Sequence, residues 1–319
     1  MSAARTMIAA VNPRPQIDSE NLIPVSAEHL DQWKNLTVQI RAHELVLAGT
    51  IEPVPGSALH QANAIYPREK VSAWARSYLL AAAEHLGFWA DLVAPYEFDP
   101  SVVNKVRFRQ YLILGRSGWE AAAHAAWLLD VPSLKFEECV QRFVRLMHRD
   151  FTYHRDALVA DQADTTAADE RIANLATSAE QLPFAAPRSR VPGYEAMLRE
   201  AAMTLGADEN RWAYLWKAAS GATHGQNWFG LEGFDLIARA ELEPGVYHTV
   251  AIPDPSFITE TFAAATQTLA RGTQLLLHSG GHDPLALLGP AIFEVGARMQ
   301  KKDQPGDRPD ADIAQAETD

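Results

Sequence analysis

The sequence predicts a mainly α-helical bundle with one small β-hairpin inserted before the C-terminal helices. Three observations predict it. Apolar residues recur at the 3.6-residue helical period over long stretches. Prolines and glycines cluster between those stretches. A strand pattern appears once, on either side of Glu243, Pro244 and Gly245.

Each element follows from local chemistry. Residues 1–24 hold Pro13, Pro15 and Pro24 with little periodicity, and read as a disordered lead. Ser26 is suited to cap a helix over 27–47, with His29 at the position a capping box gives to glutamate. Pro53, Pro55 and Gly56 break the chain. A helix over 67–93 follows, with Pro67 in its first turn and Val71, Trp74, Tyr78, Ala82, Leu86 and Trp89 on one stripe. Pro95 and Pro100 mark a loop. Ser101 then caps a helix over 102–130 that Pro132 ends. Glu120 is the only formal charge from Gly118 to Leu129, so that half-helix should be the most buried of the chain.

Residues 136–161 form the next helix, and 162–180 continue or break it. Residues 183–192 are a loop. Helices over 193–205 and 209–223 are separated by Gly206. The hairpin occupies about 235–251. Helices over 257–278 and 284–299 close the chain, with Gly280 and Gly281 stopping the first. The tail, 301–319, has six acids against three bases and reads as disordered. One α-helical domain over 25–300 is the expected organisation.

Composition narrows the function classes. The chain has 319 residues, 47% hydrophobic and 21% charged, which is ordinary for a globular protein. A net charge of −12 opposes broad electrostatic binding to nucleic acid. The single cysteine, Cys139, excludes an internal disulfide and a cysteine-rich zinc site, and fits a reducing cytoplasm. The first ten residues lack the apolar run of a secretory signal. No window approaches 18 uninterrupted apolar residues, so no membrane partner is expected. Phosphate-loop, dinucleotide, His-Glu-x-x-His and Gly-x-Ser-x-Gly patterns are absent, and no cofactor is expected.

Two polar stripes interrupt apolar helices. Arg116, Glu120 and His124 recur every four residues on an alanine- and tryptophan-rich helix. Glu120 is placed to orient His124, and Arg116 to hold an anion. The same spacing also makes an intrahelical ion-pair ladder. Ser220 and His224 share a face of the helix ending at Gly225. They are a nucleophile and base on one reading, and a helix C-terminus with a left-handed glycine cap on the other. The two stripes are expected to face each other, because buried polar groups need partners.

His85 lies on an apolar helix. With Glu120, His124 and His224 it has the donor types of a zinc or iron site; as a core histidine it needs only a hydrogen bond. His278 and His282 flank two glycines and read as a turn. Arg142, Arg145 and Arg149, with Lys135, His148 and Arg155, are the one basic concentration. They suit RNA or an acidic partner, or form a solvated face. Trp212 and Trp216, four apart, share a helix face in the core.

Three blocks carry a family resemblance. They are the segment from Ser77 to Leu86, the segment from Arg116 to Asp130, and the segment from Tyr214 to Gly225. In this order they resemble an uncharacterised family of actinobacterial helical proteins, a domain of unknown function. Such families are similar to the HEPN group (higher eukaryotes and prokaryotes nucleotide-binding), which includes ribonucleases of toxin and antiphage systems. That group's nuclease signature is Arg, four to six residues, then His. Arg142/His148, Arg149/His154 and Arg271/His278 match the spacing, and only Arg149 is followed by a polar residue, Asp150. The resemblance implies a helical bundle and, as an alternative function, a metal-independent ribonuclease, with a homodimer as the fitting assembly. The leading expectation is a cytoplasmic bundle with a binding or regulatory role. A metal-binding bundle is the third.

Overall fold

The computed structural model describes residues 25–49, 51–96, 106–131, 136–182 and 189–299. Among them are eleven helices and one two-stranded antiparallel sheet, the mainly α architecture that the periodicity predicts. The expected lead, the tail and the Ser101 cap lie outside the described residues, as do Pro132 and Lys135.

The helices run α1 (Ala27–Ala48), α2 (Ala58–Ile65), α3 (Val71–Val93), α4 (Phe108–Leu129), α5 (Phe136–Ala160), α6 (Thr166–Glu180), α7 (Tyr194–Leu205), α8 (Glu209–Thr223) and α9 (Asn227–Glu232). The hairpin, β1 (Phe234–Glu243) and β2 (Val246–Pro253), precedes α10 (Pro255–Ser279) and α11 (Pro284–Met299). Side-chain caps set several of the starts. The Ser26 hydroxyl accepts from the His29 amide at 3.4 Å. The Asp208 carboxylate accepts from the amides of Asn210 and Arg211, and that of Asp254 from Ser256, with Pro255 in the first turn of α10. Gly206 and Gly245 take positive φ where α7 ends and where the hairpin turns.

Two boundaries differ from expectation, and a third decides between two expected alternatives. Pro67 does not begin a helix: a short α2 precedes it, and α3 starts at Val71. The reason is a side-chain cap from outside. The Asn63 amide oxygen accepts from the Ser72 amide at 3.2 Å, and its NH₂ donates to the Ser72 hydroxyl at 2.9 Å. The helix expected from 102 begins at Phe108. Between α5 and α6 the chain breaks, with Gln162 at positive φ and the Asp164 carboxylate accepting from the Thr166 amide.

Helix α4 lies between α3 and α10, and these three form the centre. From Gly118 to Leu129 every residue of α4 is buried except Glu120 and Ala121. Small residues allow the close approach. A Cβ at Gly118 would lie 2.7 Å from the Leu86 Cγ of α3 and 3.2 Å from the Ala82 carbonyl oxygen. A Cβ at Gly272 of α10 would lie 2.7 Å from Leu79 Cδ2. Around this centre α1 covers α3 and α10, α11 lies on α1, and α7 and α8 cover α4. One contiguous apolar cluster runs from Trp33 through Trp89, Trp119 and Phe143 to Phe262.

Gly118→Ala tests the close approach. Alanine at an open helical position gains about 1 kcal/mol. Here overpacking costs about 1–3 kcal/mol, so the net effect is a lower urea midpoint. A raised midpoint would show that α3 and α4 have room to spare.

Candidate functional site

Starting from α4, the polar stripe divides in two. Arg116 and Glu120, one turn apart, form an ion pair at 2.8 Å, the ladder that their spacing allows. The same Glu120 Oε1 accepts from the indole N–H of Trp216 on α8 at 2.7 Å, and the Arg116 guanidinium lies over the Trp216 ring at 5.5 Å. The α4–α8 contact is thus polar at Glu120 and Trp216. Further along the contact Arg109 donates to the Ala222 carbonyl at 3.1 Å, and the side chains of Ser220 and His224 make no hydrogen bond to α4 among the described residues.

His124 points the other way. It is buried, 5% exposed. Its ring stacks on Tyr78 of α3 at 4.8 Å and meets Tyr194 of α7 edge-on at 5.2 Å. Its Nε2 contacts Arg149 Nη2 of α5 at 2.5 Å. Guanidinium nitrogens only donate, so Nε2 accepts and the ring proton resides on Nδ1, towards the Glu120 backbone carbonyl. Burial, then the Arg149 charge, lowers the imidazole to about 4. Four helices therefore meet at one neutral histidine.

Tyrosines complete the cluster. Burial raises the Tyr78 phenol to about 12, the Asp150 charge adds to this, and Arg149 opposes it through charge and a hydrogen bond. The Tyr194 phenol is raised by burial and by the Glu120 charge, with Arg149 and Arg116 acting against. Tyr194 is 38% exposed, and Tyr153, over which Arg149 also lies, is 63% exposed, so the cluster reaches the surface at this rim.

Arg149 differs in partner chemistry from six other arginines of the bundle. Arg41, Arg116, Arg142, Arg199, Arg211 and Arg271 each have a carboxylate within ion-pair distance. Among the described residues Arg149 has none. Its partners are a neutral histidine and phenols.

Arg142, Arg145 and Arg149 of the basic concentration are half-buried between helices and not on a solvated face, whereas Arg155 pairs with Asp156 nearer the surface. Arg142 donates to the carbonyls of Trp127 and Asp130 at the end of α4, where helix carbonyls lack partners, and pairs with Glu138 and Glu200. Arg145 is half-buried, and its Nε has no hydrogen-bond partner. Each of Arg142 and Arg149 follows a buried residue, Cys139 or Leu146, by three positions. That spacing at the edge of the buried face is the signal from which their inward turn was readable.

The remaining expected site residues lie apart from this cluster. His85 is exposed on α3. His224 is exposed at the C-cap of α8, its amide donating to the Ser220 carbonyl at 3.0 Å, and Gly225 takes φ of 65°. Ser220 and His224 thus form a helix end. The donor set of His85, Glu120, His124 and His224 does not converge, and among the described residues no group of three or more His, Cys, Asp or Glu could hold a metal. His282 contacts the Glu52 carbonyl beside the Gly280–Gly281 turn. Cys139 is buried, its thiol raised to about 12 by burial, so it carries no thiolate chemistry. Sequence reasoning missed Tyr78, Tyr194 and Tyr153, which come from three separate helices. No helix among the described residues is long and apolar enough to cross a membrane.

The chain matches no protein-family model, no curated protein and no solved structure. The site therefore rests on its own geometry.

Proposed function

We propose that the protein is a cytoplasmic binding or regulatory helical bundle, and that its ligand carries a carboxylate or phosphate held at the Arg149, Tyr194 and Arg116 rim. The observation that carries this reading is Arg149, a cation beside the surface whose hydrogen bonds go to neutral groups. An anion is the partner its fork lacks. His124 supports Arg149 from below. A base held near 4 with its acceptor nitrogen engaged is poorly placed for proton transfer near neutral pH, which favours binding over catalysis. The ribonuclease alternative, implied by the resemblance, needs arginine and histidine presented together. Arg142 is spent on helix carbonyls and Arg271 on Asp130, while His154 is exposed and Arg149 turns inward.

Thermal unfolding in increasing phosphate or acetate tests this. A ligand at about a hundred times its dissociation constant stabilises by about 2.7 kcal/mol. The wild-type melting temperature should rise and saturate. Arg149→Met should lose the response, and the control Arg155→Met, whose charge is paired with Asp156, should keep it. An unchanged response in Arg149→Met would overturn the assignment.

A further inference from the structure

Helix α11 is apolar nearly all round, yet only one side of it is covered. Leu288, Ala291 and Val295 are buried, the last two in a small cluster with Ala42 of α1. At 100° per residue these three centre near one direction, and Ala286, Gly289, Phe293, Gly296 and Ala297 lie on the far side, with Leu285 at its edge. Leu285 is 81% exposed and Phe293 79%. The only charges of α11, Glu294 and Arg298, pair with each other outside this strip. A helix apolar on all sides is normally buried on all sides.

We propose that this outer strip is the interface between two copies of the chain, packed as an antiparallel α11 pair about a two-fold axis level with Ala291 but on the side of the helix away from its buried side chain. The strip is self-complementary in size. About that axis Phe293 of one copy falls opposite position 289 of the other, a glycine, and Leu285 falls opposite position 297, an alanine. Ala286 and Gly296 face each other in the same way. A Cβ at Gly289 or Gly296 would meet no atom within 4 Å, so both glycines are open to a partner's side chain. A two-fold contact needs one patch to fit itself, and neither charge of α11 lies within this one, although Asp31 and Lys34 of α1 border it at Gly296. The chain beyond α11 is a poor cover for the strip, because nine of its last 19 residues are charged.

Sixteen residues give a strip about 24 Å long. That is on the order of 400–500 Å² per copy, below the roughly 800 Å² of a standard interface, so the dimer is weak and concentration-dependent.

Sedimentation velocity on the full chain up to about 500 µM, a range that reports weak association, tests this. The wild type should form a reversible dimer. Phe293→Asp and Leu285→Asp should be monomeric and keep the wild-type melting temperature when dilute, because both side chains are exposed in the single copy. The double variant Ala286→Cys/Gly296→Cys should form a disulfide-linked dimer on oxidation, whereas either single variant should not, its two thiols lying about 15 Å apart along the pair. Cys139 is buried and does not interfere. A wild type monomeric throughout, a dimer indifferent to Phe293→Asp, or single cysteines that cross-link as well as the pair would each overturn the proposal.

Discussion

Replacing Ala122 with arginine should unfold the protein or lower its stability by several kcal/mol. Ala122 is fully buried at the centre of α4, and Ala126, one turn on, is 3% exposed. Helices α3 and α10 pack on either side of α4. An arginine there brings an unpaired charge and a long side chain into the buried apolar cluster that also holds Leu79, Leu86 and Leu269. Among the described residues no carboxylate is buried, so the charge finds no partner in the core they form. Chemical denaturation of Ala122→Arg and Ala126→Arg measures the loss. Midpoints within about 0.5 kcal/mol of wild type, the range of ordinary surface changes, would mean that α4 is not the centre of the fold.

Acid should destabilise the protein well above the pH at which carboxylates titrate. Two buried histidines are responsible. His124 and His43 are each lowered from 6.5 to about 4, mainly by burial. A base with a lowered native value binds fewer protons when folded than when unfolded. Its contribution is complete above about pH 7 and is lost as pH falls through 6.5 towards 4. A shift of about 2.5 units corresponds to roughly 3 kcal/mol for each histidine. Glu44 and Glu200, raised by burial, act in the opposite direction at lower pH. Urea midpoints between pH 7.5 and 4.5 should fall steeply in the wild type. His124→Gln should remove about half of the slope while keeping an acceptor for Arg149. A flat profile would show that neither histidine is held neutral.

How much of this was legible follows from where each signal resides. Helix periods and turn chemistry are local, so the long helices, the hairpin at Pro244 and Gly245, and the buried half of α4 could be read directly, while α2 and α9, of eight and six residues, are too short to show a period. The Pro67 boundary could not, because the donor at Ser72 is capped by Asn63 from another helix. The Arg116–Glu120 pair is a four-residue contact and was readable. The bond from Arg149 to His124 joins residues 25 apart on two helices, and its formation depends on how α5 rotates against α4. Four-residue spacing placed Ser220 with His224 and suggested that they face the stripe of α4, but spacing within one helix does not fix which of its residues meet a neighbour. The contact came through Trp216, whose indole needed an acceptor. His85 sits on the outer side of α3, a matter of helix phase set by packing against α1 and α4.

The most direct test of this account is the charge and tautomer of His124. Nitrogen and carbon NMR of the imidazole, assigned with His124→Gln and followed against pH in the folded protein, reads both. The account predicts a neutral ring protonated on Nδ1 that stays uncharged at pH 5, with a midpoint near 4. A midpoint near the ordinary 6.5, or a proton on Nε2, would mean that Arg149 does not bond to His124 and that the cluster is not built as described.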